Sequence, residues 1–399
     1  MSNFEHLVII LWLGLDKLVG KIPLVILISW CYITNFVKTK NKVREGQMKK
    51  ALITGITGQD GAYIAKLLLE KGYEVYGTYR RLSTPNFWRL EYLGAFEKVN
   101  LIPVDLSDFG SIVEALKISQ PDEIYHLAAQ SFVEASFETP VATGDVTGLS
   151  TTRILEAIRQ VCPDTKFYFA GSSEMFGKSG LLNGEKPLSE KDMLYPMSPY
   201  SAAKLYGYWI TKIYREGYGI FAVNGILFNH ESPLRGLEFV TRKISNEVAK
   251  IVLGLSKELR LGNLDAKRDW GYTPEYVESM WLMLQQKDPD DYVIATGIAH
   301  SVREFVEKAF EIVGLDWQKY VKVDKRFFRP LDVPCLIGDY SKAKEKLGWE
   351  PKTRFEKLVE LMVREDINRW ERWLKGERFP WDAPNYPSEN KIITRALRM

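Results

Sequence analysis

The chain has 399 residues, 46% of them hydrophobic and 26% charged, with a net charge of +3. That length suits one large bilobed unit or two domains, and fifty-four basic against fifty-one acidic residues set up no field that would draw in nucleic acid. Three scattered cysteines (Cys31, Cys162, Cys335) argue against a disulfide scaffold or cysteine-held zinc, and four histidines without ligand spacing give a metal site no support.

The first 47 residues differ from the rest. LVIILWLGL (7–15) and IPLVILISWCYI (22–33) are apolar runs broken by Asp16 and Lys17. Neither reaches the roughly 20 residues that span a bilayer. A membrane anchor, an interfacial helix and an extension that is seldom made all remain open, the last because Met48 stands directly before KKALITG. A signal peptide fits poorly, since early positive charge and a small-residue cleavage site are missing. The expected location is cytoplasmic, or membrane-associated if residues 1–47 are retained.

A short apolar strand is predicted at 51–54, followed by Gly55, Gly58 and Gly61 and then a helix whose apolar face carries Ile64, Ala65, Leu67, Leu68 and Leu69. Strand, glycine turn and helix in that order suit a dinucleotide. The first glycine allows the tight turn, the second lets backbone approach a pyrophosphate, and the third lets helix and strand close. The next strand, 73–81, ends in Arg80 and Arg81 where an NAD site often has a carboxylate. An arginine fork favours the ribose phosphate of NADP. A third strand at 99–108 carries Asp105, a candidate acceptor for adenine. A fourth is predicted at 122–129 and a fifth leads into FYFAGSSEMFG (167–177). Helices at 111–120 and 146–160 alternate with them. The expectation is an α/β fold, a Rossmann-type doubly wound parallel sheet with a smaller interleaved substrate-binding lobe.

Ligands sit beyond the carboxyl ends of such strands, and there the fifth strand presents Ser172 and Glu174. The helix expected over 195–219 carries Tyr200 and Lys204 four residues apart, on one face. A phenol is a poor base near neutral pH unless its anion is stabilised, and a nearby ammonium does this. Tyr–x–x–x–Lys alone also arises by chance on a helix; the glycine turn upstream and the serine between make the catalytic reading the stronger one. Ser172, Tyr200 and Lys204 account for an oxidoreductase. Glu174 is surplus to a reductase or epimerase, but a dehydratase needs a base for C5 and an acid for the hydroxyl leaving C6.

These residues resemble those of the extended short-chain dehydrogenase/reductases, and within them the GDP-mannose 4,6-dehydratases, from Met48 to about Glu350. The most specific stretches are ALITGITGQDG (51–61), SPYSAAKLYGYWIT (198–211), NGILFNHESPLRGLEFVTRKI (224–244) and GNLDAKRDWGYTPEYVESMWLMLQQ (262–286). The resemblance implies GDP-D-mannose as substrate, GDP-4-keto-6-deoxy-D-mannose as product and NADP as cofactor. It also implies a homodimer or homotetramer; membrane contact is expected only through residues 1–47, from their apolar runs. It further implies cofactor contacts at Arg80, Arg81, His230 and Arg235. Substrate contacts follow at Asn229, Val240, Lys243, Gly262, Asn263, Arg268, Arg329 and Asp332, beside Ser172 and Glu174. The alternative is a reductase or epimerase of another nucleotide-sugar. Many family members read STSELYG where this chain has GSSEMFG, so Phe176 replaces a tyrosine near the expected pocket. Later helices are predicted at 239–255, 273–286 and 301–314, with a strand at 291–297. Residues 48–228 are expected to hold mainly the cofactor and 229–399 mainly the nucleotide-sugar, with a tail from 370 onward.

Overall fold

The computed structural model describes residues 48–83, 86–328, 333 and 335–377. The chain divides into two compact units, and the second, Lys49–Met399, carries the fold. At its centre lies a seven-stranded sheet. In chain order its strands are β1 (Lys50–Thr54), β2 (Glu74–Tyr79), β3 (Asn100–Pro103), β4 (Glu123–His126), β5 (Lys166–Ala170), β6 (Ala222–Leu227) and β10 (Asp291–Ile294). Their spatial order is β3-β2-β1-β4-β5-β6-β10, and every pairing is parallel. The expected doubly wound sheet is therefore present. β4, β6 and β10 are buried at every residue, and β1 and β5 at all but the first, which is why they read as continuous apolar runs rather than alternating ones.

Helices cover both faces. On one side α2 (Phe109–Ser119), α3 (Ser150–Val161) and α4 (Pro199–Tyr218) pack Ile112, Leu116, Ile154, Ile158 and Tyr208 against Phe167 and Phe169. On the other, α1 (Gln59–Glu70) and α6 (Thr273–Leu284) bring Ile64, Leu68, Val277 and Met280 to Ile53 and Val223. The strand order reverses between β1 and β4, and the crevice at such a reversal is where ligands bind in this architecture.

A second core lies among α5 (Val240–Val252), α7 (Val302–Ile312) and α8 (Phe355–Leu374), with Ile244, Val248, Phe305, Phe310, Val359 and Met362 inside it. Short strands edge it: β7 (Asn229–Glu231), β9 (Lys267–Tyr272), β11 (Ala299–Ser301) and β13 (Cys335–Leu336) form one sheet, and β8 (Leu259–Leu261) pairs with β12 (Val321–Val323). Most of these strands have three residues or fewer, too short for periodicity to reveal. α8 also runs through the start of what reads as a tail, and Asp366 anchors it by taking Arg242 Nε on both carboxylate oxygens at 2.9 Å.

Two expectations need correcting. Among the described residues no helix is long and apolar enough to cross a membrane, so membrane contact and the membrane-associated location tied to it are not retained. Residues 1–47, on which both rested, lie outside the described residues.

Candidate active site

β1 ends at Thr54, and Gly55 follows with φ +72°, a backbone region that favours glycine. A Cβ there would stand 2.8 Å from Ala128 Cα, and one on Gly61 would stand 2.3 Å from the Gly55 carbonyl oxygen. Both glycines are thus demanded by the protein's own packing. Gly58 is not: its Cβ would meet only Gly55 O, at 3.3 Å, and the residue is exposed. It is the N-cap of α1, and no side chain caps the helix there. A bare helix N-terminus beside a side-chain-free residue fits the pyrophosphate of a dinucleotide. Arg80 and Arg81 follow the end of β2, which stops at Tyr79, and both are exposed. Asp105 lies beyond β3, whose last residue is Pro103. Its Oδ1 accepts from the Ser107 N–H and hydroxyl, and these bonds, with Arg80 nearby, hold its carboxyl below the usual range.

The catalytic candidates gather where β5 meets α4. Ser198 caps α4 in a reciprocal box with Ser201, and Pro199 occupies the first turn. Gly207 lets the helix close on β5, since a Cβ there would stand 2.4 Å from the Phe169 ring. Tyr200 and Lys204 are thereby buried at the strand end. Lys204 Nζ donates to the carbonyl of Ala170, the last residue of β5, at 2.7 Å, and lies 5.9 Å from the centre of the Tyr200 ring. Burial pulls the Lys204 ammonium down to about 8. Burial pushes the Tyr200 phenol up to about 12; the Ser172 hydroxyl beside it works in the opposite direction, and Glu174's charge adds to the rise.

Ser172 Oγ accepts the Glu174 backbone N–H at 3.2 Å, which fixes the turn that aims both side chains. Glu174 is 8% exposed, and Arg268 Nε stands 3.9 Å from its Oε1. Arg268 is itself held by the carbonyls of Lys267 and Val333, at 2.9 and 2.6 Å. Phe176 is fully buried in the apolar cluster of the sheet, with its ring 6.0 Å from that of Phe228.

β7 brings a further set. Asn229 Oδ1 is buried with no hydrogen-bond partner among the described residues. His230 Nε2 meets Asp60 Oδ2 at 2.9 Å. Arg235 pairs with Glu231, Nε to Oε2 3.1 Å, although the approach is too oblique for a hydrogen bond, and its guanidinium lies 3.5 Å from the centre of the Phe239 ring. Lys243 and Gly262 converge on a different residue, Phe327. Lys243 Nζ sits 3.6 Å from the centre of the Phe327 ring, and burial draws its ammonium down to about 8. A Cβ on Gly262 would stand 2.4 Å from the Phe327 carbonyl oxygen. Val240 is the first residue of α5, and Asn263 Oδ1 accepts the Asp265 N–H at 3.0 Å. Arg329 and Asp332 lie outside the described residues.

A family model described as GDP-mannose 4,6 dehydratase matches residues 52–362. The chain belongs to the GDP-mannose 4,6-dehydratase family. GDP-mannose 4,6 dehydratase 1 of Arabidopsis thaliana is 52% identical over 329 residues, covering 80% of this chain and 90% of its own. The human GDP-mannose 4,6 dehydratase is 49% identical over 352 residues, covering 81% and 94%. Among solved structures, the UDP-glucose 4-epimerase of Thermus thermophilus in complex with NAD superposes with a TM-score of 0.68 at 26% identity, covering 79% of this chain and 98% of its own.

Within this member of the dehydratase family, two residues near the site escaped the sequence reading. His126, the last residue of β4, is buried between Thr54 Oγ1, 2.8 Å from Nδ1, and Ser150 Oγ, 3.4 Å from Nε2. Thr54 Oγ1 also accepts the N–H groups of Leu127 and Ala128, each at 3.2 Å, so its own proton goes to Nδ1. Burial, with Lys204 nearby, holds the imidazole down to about 3 and keeps it neutral. Asp60 is the second. A carboxylate in a first turn suits the helix dipole, but beside a glycine turn read as a phosphate site it would repel the ligand, and that conflict was the available signal.

Proposed function

We propose that this chain converts GDP-D-mannose to GDP-4-keto-6-deoxy-D-mannose and water. The observation that carries the reading is the joint burial of Ser172, Glu174, Tyr200 and Lys204 at one strand end, because a simple carbonyl reductase has no use for the glutamate. Residues 48–228 would hold mainly the cofactor and 229–399 mainly the nucleotide-sugar. The glycine turn of Gly55, Gly58 and Gly61, with Arg80 and Arg81 for the ribose phosphate, suits NADP, and Asp105 is the candidate partner of the adenine. A bound NADP supplies the acceptor and donor for hydride at sugar carbons C4 and C6.

Tyr200 takes the proton of the C4 hydroxyl. The Lys204 ammonium, pinned by the Ala170 carbonyl, stabilises the phenolate. Ser172 holds the C4 oxygen in line with the phenol. Oxidation at C4 acidifies C5, and Glu174 removes that proton, then delivers it to the hydroxyl departing from C6 as water. The proton that Tyr200 took from the C4 hydroxyl returns to C5 as C6 gains hydride, which restores the phenolate and completes the product. Asn229, Val240, Lys243, Gly262, Asn263, Arg268, Arg329 and Asp332 are the proposed contacts of the nucleotide-sugar, and His230 and Arg235 those on the cofactor side. The cations Lys243, Arg268 and Arg329 answer the diphosphate.

Incubation with GDP-mannose and NADP, followed by mass analysis of the sugar nucleotide, tests the reaction. The expected result is loss of one water with no net build-up of NADPH. Unchanged mass or net cofactor consumption would instead mark the epimerase or reductase alternative.

A further inference from the structure

Asp60 occupies the end of α1 that a phosphate would share. In the first turn its negative charge suits the helix amides, which favour any anion, but it competes with a dinucleotide phosphate there. The protein answers from β7. Asp60 Oδ2 meets His230 Nε2 at 2.9 Å, while His230 Nδ1 meets the Phe228 carbonyl at 2.8 Å. A carbonyl and an ionised carboxylate only accept, so an imidazole between them carries both protons and a positive charge. The Tyr276 ring stacks on it with centroids 4.6 Å apart, a favourable face for a cation. Gln59 grips the same stretch: its Nε2 donates to the His230 carbonyl at 3.2 Å and its Oε1 accepts the Ser232 hydroxyl at 2.7 Å. These bonds land beside Asn229, the β7 residue whose buried Oδ1 lacks a partner among the described residues.

We propose that Gln59 and Asp60 are positioning residues that couple the cofactor turn to the substrate strand, so that a dinucleotide seated on the glycine turn sets where Asn229 meets the nucleotide-sugar. The inference rests on the reading that the turn holds NADP and that Asn229 contacts substrate. A pyrophosphate at the helix N-terminus adds negative charge near the Asp60–His230 pair and strengthens the hold on the imidazolium. β7 is then fixed before the sugar arrives. The coupling is reciprocal: substrate on β7 tightens the dinucleotide by the same factor.

The test uses the full chain freed of bound nucleotide. GDP-mannose affinity is measured by calorimetry with and without saturating NADPH, the reduced form preventing turnover. In the unaltered protein NADPH should tighten GDP-mannose by about 5-fold or more. Asp60→Asn should bring that ratio close to one, and Ser232→Ala, which frees the far end of Gln59 and the Leu234 N–H but leaves the Asp60–His230 contact, should give a value between. A folded Asp60→Asn protein with an unchanged ratio overturns the coupling, however far each separate affinity falls, because a merely structural role weakens both ligands and leaves their ratio alone. If Asp60→Asn does not fold, an unchanged ratio in Ser232→Ala overturns it. A ratio of one in the unaltered protein does so too. Failure of the unaltered protein to bind NADPH at all, read by nucleotide fluorescence, sinks the cofactor reading itself and the coupling with it.

Discussion

The two edges of the seven-stranded sheet each bury a glutamate and treat it in opposite ways. At the amino edge Glu123, 1% exposed, is filled with donors. Lys49 Nζ at 3.2 Å, the Tyr73 hydroxyl at 3.1 Å and Gln285 Nε2 at 3.1 Å reach one oxygen, and the Tyr125 hydroxyl reaches the other at 2.8 Å. At the carboxyl edge Glu174, 8% exposed, has Arg268 at 3.9 Å, and among the described residues its carboxylate takes no hydrogen bond. A buried carboxylate saturated with donors is architecture: its position is fixed and no lone pair is left for a ligand. One without donors among the described residues keeps its lone pairs for whatever binds beside it. Asn229 Oδ1 repeats the pattern of unfilled valence on the same side.

The contrast breaks most sharply at Glu174 and Tyr200. Glu174→Gln and Tyr200→Phe should each slow dehydration by about 10²–10⁴-fold, measured as single-turnover rates, with NADP and GDP-mannose binding retained. Near-normal turnover in Glu174→Gln would remove its proposed role. Glu123→Gln should leave the rate per folded molecule unchanged and lower unfolding free energy by about 1–3 kcal/mol, the cost of stranding buried donors, read in denaturant. If Glu123→Gln slowed chemistry as Glu174→Gln does, the two edges would not differ as described.

A smaller effect is expected at Phe176. A tyrosine there puts a hydroxyl among Met175 and Phe228, so Phe176→Tyr should lower Tm with kcat unchanged; a changed KM for GDP-mannose would return Phe176 to the pocket wall. The smallest effect concerns Lys204. In the folded chain burial pulls its ammonium down to about 8, against an ordinary lysine value of about 10.4 in the unfolded one. Between those values the unfolded chain binds more protons, so this residue's contribution to stability rises with pH. The unligated protein should therefore gain stability relative to Lys204→Met between pH 8 and 10, and a flat difference across that range would refute the buried charge.

Much of the part built on the parallel sheet was legible in the chain. β1, the glycine turn and α1 are contiguous, and contiguous signals survive without tertiary information. Tyr200 and Lys204 share a helix, so spacing alone paired them. The part built around α5, α7 and α8 was harder. β7, β8 and β11 through β13 are short, and their pairing depends on partners far away in sequence, such as Asn229 with Trp270. α8 was taken partly for a tail because its anchor, the pair of Asp366 with Arg242, joins residues that no local window contains.

By itself the sequence determined the parallel sheet, the glycine turn and the candidate side chains beyond β5 and on α4, since periodicity, glycine spacing and helix spacing are local properties of a chain. Only the tertiary structure decided which carboxylates are left without donors among the described residues. Glu123 and Glu174 both stand at strand ends, and nothing in their neighbours along the chain says that one is saturated and the other open. The donors that fill Glu123 come from Lys49, Tyr73 and Gln285, and the cation facing Glu174 comes from β9. Hydrogen-bond supply is set by what folding brings within reach, and that is a property of the assembled molecule.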